Sequence, residues 1–224
     1  MGYLYRLFGN TSTKEMDNLS NLNTAIVYYS SGGTNYQLAR WAEEAASQAG
    51  SEVRVLKAPE TAPQAAIDSN AGWKAHVEAT KDVPEVTPAD LEWADAIIFS
   101  VPTRFGNMPG QMKNFLDTTG GSWAQGKLAN KAVSAMSSAQ NPHGGQEATI
   151  LSLYTTIYHW GAIVAAPGYT DPVAFAAGGN PYGTSVTVGQ DGKIADDEAA
   201  IKAAVQHQAK RTVQVAKALK HLEA

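Results

Sequence analysis

Apolar runs alternate with amphipathic stretches along most of this chain, and the alternation predicts a repeating strand–helix order. Thr24 to Tyr29 (TAIVYY) is a continuous apolar run and predicts a first, buried strand. Ser30 to Thr34 (SSGGT) breaks it as a turn. From about Asn35 to Ala49 a helical period places Ala39, Ala42, Ala46 and Ala49 on one face, and Gly50 ends the helix. Glu52 to Lys57 (EVRVLK), Ala96 to Val101 (AIIFSV), Ala132 to Ser137 (AVSAMS) and Ala162 to Ala166 (AIVAA) predict four further strands. Pro109 starts a short amphipathic helix, and Gly145 to His159 reads as another. Asp196 caps a last helix that turns Ile201, Val205, Thr212, Val215 and Leu219 inward.

Strands with intervening helices predict a three-layer α/β sandwich, a five-stranded parallel sheet with helices on both faces. The strand order is 2-1-3-4-5 if the first crossover runs one way and the rest run the other. Two stretches fit no period. Ala58 to Glu92 is Pro-rich, and Gly168 to Lys193 is Gly-rich with a turn at Gln190-Asp191-Gly192. Loops of that length are usually functional or interfacial. Residues 1–22 read as an N-terminal extension and residues 23–224 as a single domain. Met16 stands before a polar lead-in, so residues 1–15 read as a tag remnant or an alternative start.

Composition narrows the function classes. The chain has 224 residues, 44% of them hydrophobic, which suits one core. A net charge of −4 without blocks of like charge argues against a nucleic-acid partner. No apolar run is long enough to span a bilayer, and Gly2 to Phe8 is too short for a signal-peptide core, so the expected location is cytoplasmic. The chain has no cysteine, which removes disulfides, thiol nucleophiles, Fe–S clusters and Cys-ligated zinc. Redox chemistry here requires a bound organic cofactor.

Candidate chemistry collects where strands end, the usual ligand position in an open parallel sheet. After the first strand, Ser30, Ser31, Gly32, Gly33, Thr34 and Asn35 combine small residues, hydroxyls and a helix N-terminus, a pattern suited to phosphate. A capped Gly-rich turn would look the same; its place after a buried strand favours phosphate. It is neither a P-loop nor a dinucleotide fingerprint. After the third strand, Pro102 to Trp123 (PTRFGNMPGQMKNFLDTTGGSW) supplies a planar cation, an aromatic, a Gly and an amide in a row at Arg104, Phe105, Gly106 and Asn107. That set can grip a flat, polar-edged ring, although a polar turn before a Pro-started helix reads alike. After the fourth strand, Ser137 to Gly145 (SSAQNPHGG) is a second Gly-containing turn whose N–H groups could read a ring edge; alone it is an ordinary loop. His159 ends a helix, where a histidine is more often structural than catalytic. His76, His143, His207 and His221 show no ligand spacing with it, so no metal site is expected.

Together these segments strongly resemble the WrbA group of flavodoxin-like NAD(P)H:quinone oxidoreductases. The resemblance rests on VYYSSGGTNY (27–36), FSVPTRFGNMPGQMKNFLDTTGGSWAQGKL (99–128), GGQEATI (144–150), TTIYHWG (155–161) and GGNPYGTSVTVGQDG (178–192). It implies FMN, a twisted parallel sheet and a homotetramer, a dimer of dimers. By the same resemblance Ser30, Gly32, Gly33, Thr34 and Asn35 take the FMN phosphate. Thr103, Arg104, Phe105, Gly106 and Asn107 lie against the ring system, and Ser138, Ala139, Gln140, Asn141 and Gly144 meet its far edge. His159, Trp123 and Tyr169 line the nicotinamide and quinone side, with His159 placed to orient or protonate a quinone oxygen. Gly32-Gly33 replaces a Tyr-Gly pair frequent in the group, and Trp160 stands where a second His is common.

The expected activity is two-electron reduction of a quinone by NADH or NADPH, in ping-pong order through flavin N5. Two rival readings use the same loops: a flavodoxin-type one-electron carrier, and a non-enzymatic regulatory flavoprotein.

Overall fold

Six strands and nine helices alternate among the residues that the computed structural model describes, 22–220 and 222. The strands are β1 (Leu22–Tyr28), β2 (Ser51–Lys57), β3 (Ala96–Pro102), β4 (Ala132–Ala139), β5 (Ile163–Val164) and β6 (Ser185–Thr187). The helices are α1 (Thr34–Gln48), α2 (Gln64–Asp68), α3 (Ala71–Ala79), α4 (Pro88–Trp93), α5 (Gly110–Asp117), α6 (Gly120–Ala124), α7 (Gln146–His159), α8 (Val173–Ala176) and α9 (Glu198–Leu219). The proposed extension up to residue 21, including the tag-remnant reading, and His221 lie outside the described residues. Leu22 already opens β1, two residues before the expected Thr24.

The sheet is parallel and runs β2-β1-β3-β4-β5, the expected order. Successive residues of each strand face opposite layers. Ala25, Val27, Ile97, Phe99, Val133 and Ala135 pack with Leu91 of α4, Met112 and Phe115 of α5 and Ile150, Leu153 and Ile157 of α7. Ile26, Tyr28, Ile98 and Met136 pack with Leu38, Ala39 and Ala42 of α1 and Ile201, Val205 and Ala209 of α9. Cover on both faces explains why β1, β3 and β4 read as unbroken apolar runs. The small face of α1 includes Ala45, whereas Ala49 is the exposed C-cap.

Three expectations change. The region between β2 and β3 holds three short helices rather than a loop, and the Gly-rich stretch holds β6. β6 pairs with Ser137–Ala139 while β5 pairs with Ala132–Val133, so two short strands share one edge of β4. That division limits β5 to two residues instead of the expected five. Asp197, not Asp196, caps α9, accepting from the N–H groups of Ala199 and Ala200. Asp196 instead accepts from the Thr187 N–H of β6 at 2.6 Å.

Fully buried Gln208 of α9 ties β6 to its neighbours. Its Oε1 accepts from the N–H and the hydroxyl of Thr184, and its Nε2 donates to the Ala135 carbonyl at 2.9 Å. Gln208→Ala leaves the Thr184 amide with no acceptor in a dry site. It should cost about 2–3 kcal/mol in urea unfolding. A loss below about 0.5 kcal/mol would show that water or a shifted backbone satisfies those groups.

Candidate active site

Three strand-end loops converge on one cleft of about 670 Å³, within the range of roughly 300–1,000 Å³ usual for small-molecule and cofactor sites. Ser30, Ser31, Gly32, Thr34 and Asn35 line it after β1, Pro102, Thr103 and Arg104 at the end of β3 and just beyond, and Ser138, Ala139, Gln140, Asn141 and Gly144 at the end of β4 and just beyond. The walls also include Asn70, Gly72 and Trp73 at the start of α3, and Val188 to Gly192 after β6. Sequence reading assigned no role to the α3 residues. The only hints were the length of the region around them and, for the last wall, its place in the motif at 178–192.

The phosphate-type loop has an open helix end. α1 begins after Gly33 without a side-chain cap, although its first-turn N–H groups lack intrahelical partners. The Gly33 N–H itself donates to Ser30 Oγ at 2.9 Å, which tightens the turn. The Asn35 side chain is used inward: its Nδ2 donates to Ser138 Oγ at 2.8 Å, and its Oδ1 accepts from Ser100 Oγ at 3.2 Å. Asn35 thus ties the ends of β1, β3 and β4 together and offers a ligand its backbone. Arg104 and Asp191 are the charged residues among those lining the cleft. Arg104 donates to Ser31 Oγ at 3.3 Å and to the Thr103 carbonyl at 3.0 Å, which holds the guanidinium toward the first loop.

The loop after β3 is a two-residue hairpin. Arg104 and Asn107 exchange backbone hydrogen bonds of 2.7 and 3.0 Å. Phe105 and Gly106 both have positive φ, 54° and 79°, as a type I′ turn requires. Thr103 Oγ1 accepts from the Gly106 N–H at 3.2 Å and from Thr149 Oγ1 at 2.8 Å, so α7 anchors the turn. A Cβ on Gly145, whose φ is +99°, would stand 2.8 Å from Gly106 Cα; only glycine lets the two loops meet this closely. The turn leaves Phe105 fully exposed at its tip.

The turn also separates the predicted residues. Arg104 faces the cleft, whereas Asn107 faces a second hollow of about 510 Å³, lined by Met108, Lys113, Ser152, Thr155, Thr156 and His159. Asn107 Oδ1 accepts from Ser152 Oγ at 2.7 Å. The exposed Trp123 indole donates to the His159 carbonyl at 2.8 Å, so those two residues adjoin. Tyr169 belongs to neither hollow. It stacks on Phe175, centroids 4.8 Å apart, and its hydroxyl donates to the Gly179 carbonyl.

Known proteins share this fold. A solved structure described as a flavodoxin, WrbA-like protein from Agrobacterium tumefaciens superposes with a TM-score of 0.57 and 20% identity, covering 89% of this chain and 99% of that one. The likeness shows the flavodoxin-like fold. Among curated relatives, the NAD(P)H dehydrogenase (quinone) of Deinococcus radiodurans is 58% identical over 85% of this chain and 94% of its own. The protein of the same name from Aromatoleum aromaticum is 38% identical over 88% of this chain and 97% of its own. The NADPH-dependent FMN reductase family matches residues 26–171, from β1 through the cleft loops to the aromatic pair at Tyr169. With the identity to the curated relatives and the shared fold, that match bears out the resemblance drawn from the motifs: this chain belongs to the NADPH-dependent FMN reductase family.

Proposed function

We propose that the cleft binds FMN and that the protein reduces quinones with NADH or NADPH. The observation that carries the reading is the uncapped start of α1, ringed by Ser30, Ser31 and Thr34, at one end of a cleft walled by two further strand-end loops. A dianionic phosphate fits that end, because free N–H groups and hydroxyls point their positive ends at it. The family and the names of the curated relatives support the same ligand and activity. Bound FMN would supply the capacity to take up and release two electrons.

In this reading Ser30, Gly32, Gly33, Thr34 and the Asn35 backbone hold the phosphate. Thr103, Arg104 and the Phe105–Gly106 turn support the ring system, with Ser138, Ala139, Gln140, Asn141 and Gly144 along its edge, while Asn107 faces the neighbouring hollow. The Arg104 guanidinium, held toward Ser31, would supply positive charge to the bound cofactor. His159 and Trp123 serve the nicotinamide and quinone side, to which the resemblance also assigns Tyr169. The reading carries a homotetramer, a dimer of dimers, in which exposed Tyr158, Tyr169 and Phe175 offer apolar surface to bury. Its location is cytoplasmic; among the described residues no helix is long and apolar enough to cross a membrane.

The test is stopped-flow mixing of FMN-loaded protein with NADH or NADPH, then with benzoquinone. Rapid bleaching by the nicotinamide followed by rapid recolouring by the quinone is expected, with parallel-line steady-state kinetics. Slow bleaching by both nucleotides, with a large blue radical signal on photoreduction, would favour a one-electron carrier instead.

A further inference from the structure

Glu60, in the loop after β2, accepts five hydrogen bonds. The N–H groups of Thr61 and Ala62, both at 2.9 Å, and Gln111 Nε2 at 2.8 Å donate to Oε1. Tyr29 Oη and Trp73 Nε1, both at 3.1 Å, donate to Oε2. Among the described residues no cation pairs with it. A half-buried carboxylate without a counter-ion persists only when neutral donors replace its water. Burial pushes its pKa up, but the bonds from Gln111, Ala62, Tyr29 and Trp73 outweigh that and hold it below the usual range, so the group stays ionised. Beyond its own loop its partners come from three elements: Tyr29 just after β1, Gln111 at the start of α5 and Trp73 of α3.

Trp73 gives this knot a role at the site. α3 buries none of its residues fully; His76 packs it against Tyr28 and Tyr36, on the turn after Trp73. Its first turn nevertheless forms a cleft wall, and Trp73 is held at two points. Its N–H donates to the Asn70 side chain at 3.0 Å, and its indole N–H donates to Glu60. The first bond only caps α3; the second sets where the indole lies.

We propose that Glu60 is a positioning residue that clamps Trp73 of α3 in place as an aromatic wall of the FMN site. The inference rests on the FMN reading above. Glu60→Gln puts an N–H pair where two acceptor positions are needed, so at least one donor loses its partner. Trp73→Phe keeps a ring but removes the indole N–H.

The test is FMN titration of flavin-free protein, followed by flavin fluorescence, for wild type, Glu60→Gln, Trp73→Phe and the double variant. Urea unfolding serves as a fold control. Glu60→Gln should weaken FMN about five- to tenfold, and the double variant should be little worse than either single. The residual emission of bound flavin should also rise in Glu60→Gln, because a nearby indole quenches it. An unchanged affinity and emission in folded Glu60→Gln overturns the proposal, as do fully additive losses. If Glu60→Gln does not fold, Trp73→Phe decides: wild-type affinity and emission there overturn the proposal, and weaker binding with brighter residual emission supports it. Wild-type protein that binds no FMN overturns the functional reading and this proposal together. FMN binding with no change in any variant overturns this proposal alone.

Discussion

Gly32→Asp should lower FMN affinity about 100-fold while leaving riboflavin, which lacks the phosphate, nearly unaffected. A Cβ at Gly32 meets nothing within 4 Å, so the added side chain fits without moving the loop. What changes is charge. Gly32 lines the cleft beside the open end of α1, where the proposed phosphate sits. Two like unit charges about 4 Å apart repel by about 4 kcal/mol at an effective dielectric of about 20. Partial screening by water reduces this to about 2.7 kcal/mol, a factor of about 100 in affinity. Gly32→Asn adds nearly the same volume without charge and should cost far less. Paired titrations with FMN and riboflavin check the prediction. Equal losses for both ligands would mean that the substitution deforms the cleft, and no loss for either would place the phosphate elsewhere.

Gly183→Ala should destabilise the fold by about 3 kcal/mol or more. Its Cβ would stand 1.9 Å from the Ala135 carbonyl oxygen, 3.1 Å from that carbonyl carbon and 3.2 Å from Ile150 Cδ1. The obstacle is backbone in the middle of β4, not a flexible side-chain end. Relief requires pushing away the segment that leads into β6, which breaks the Gln208 bonds to Ala135 and Thr184. For a chain of this size the melting temperature should fall by about 6–12 °C. Gly110→Ala is the control: its Cβ meets open space at the first position of α5, and it should be neutral or slightly stabilising. A Gly183→Ala melting point within a degree of wild type would refute the clash.

The core strands were legible because burial on both faces removes polar alternation from β1, β3 and β4. The loops that follow β1 and β4, and Arg104, each read equally well as ordinary polar turns; only their common place at strand ends and the motif resemblance singled them out, and the fold brings them to one cleft. β6 was not legible, because Ser185–Thr187 is too short to carry a period and becomes a strand only through the free end of β4. Trp73 and Glu60 were hidden for a related reason. α3 has no fully buried face to announce it, and Tyr29, Trp73 and Gln111, from three separate segments, meet at Glu60 only in the folded chain. Arg104 and Asn107 were expected on one ligand; positive φ at the two residues between them turns them toward different hollows.

The shared edge of β4 also sets an order of assembly. Residues of β1 to β4 leave the ribosome and can pair before β6 has been synthesised. The wall formed by Val188 to Gly192 reaches the cleft only after β6 joins β4, a parallel pairing between distant segments of the kind that forms slowly. The loop after β1 can therefore be in place well before the cleft has its last wall, and a ligand that touches Val188 to Gly192 meets a complete cleft only once β6 has joined β4.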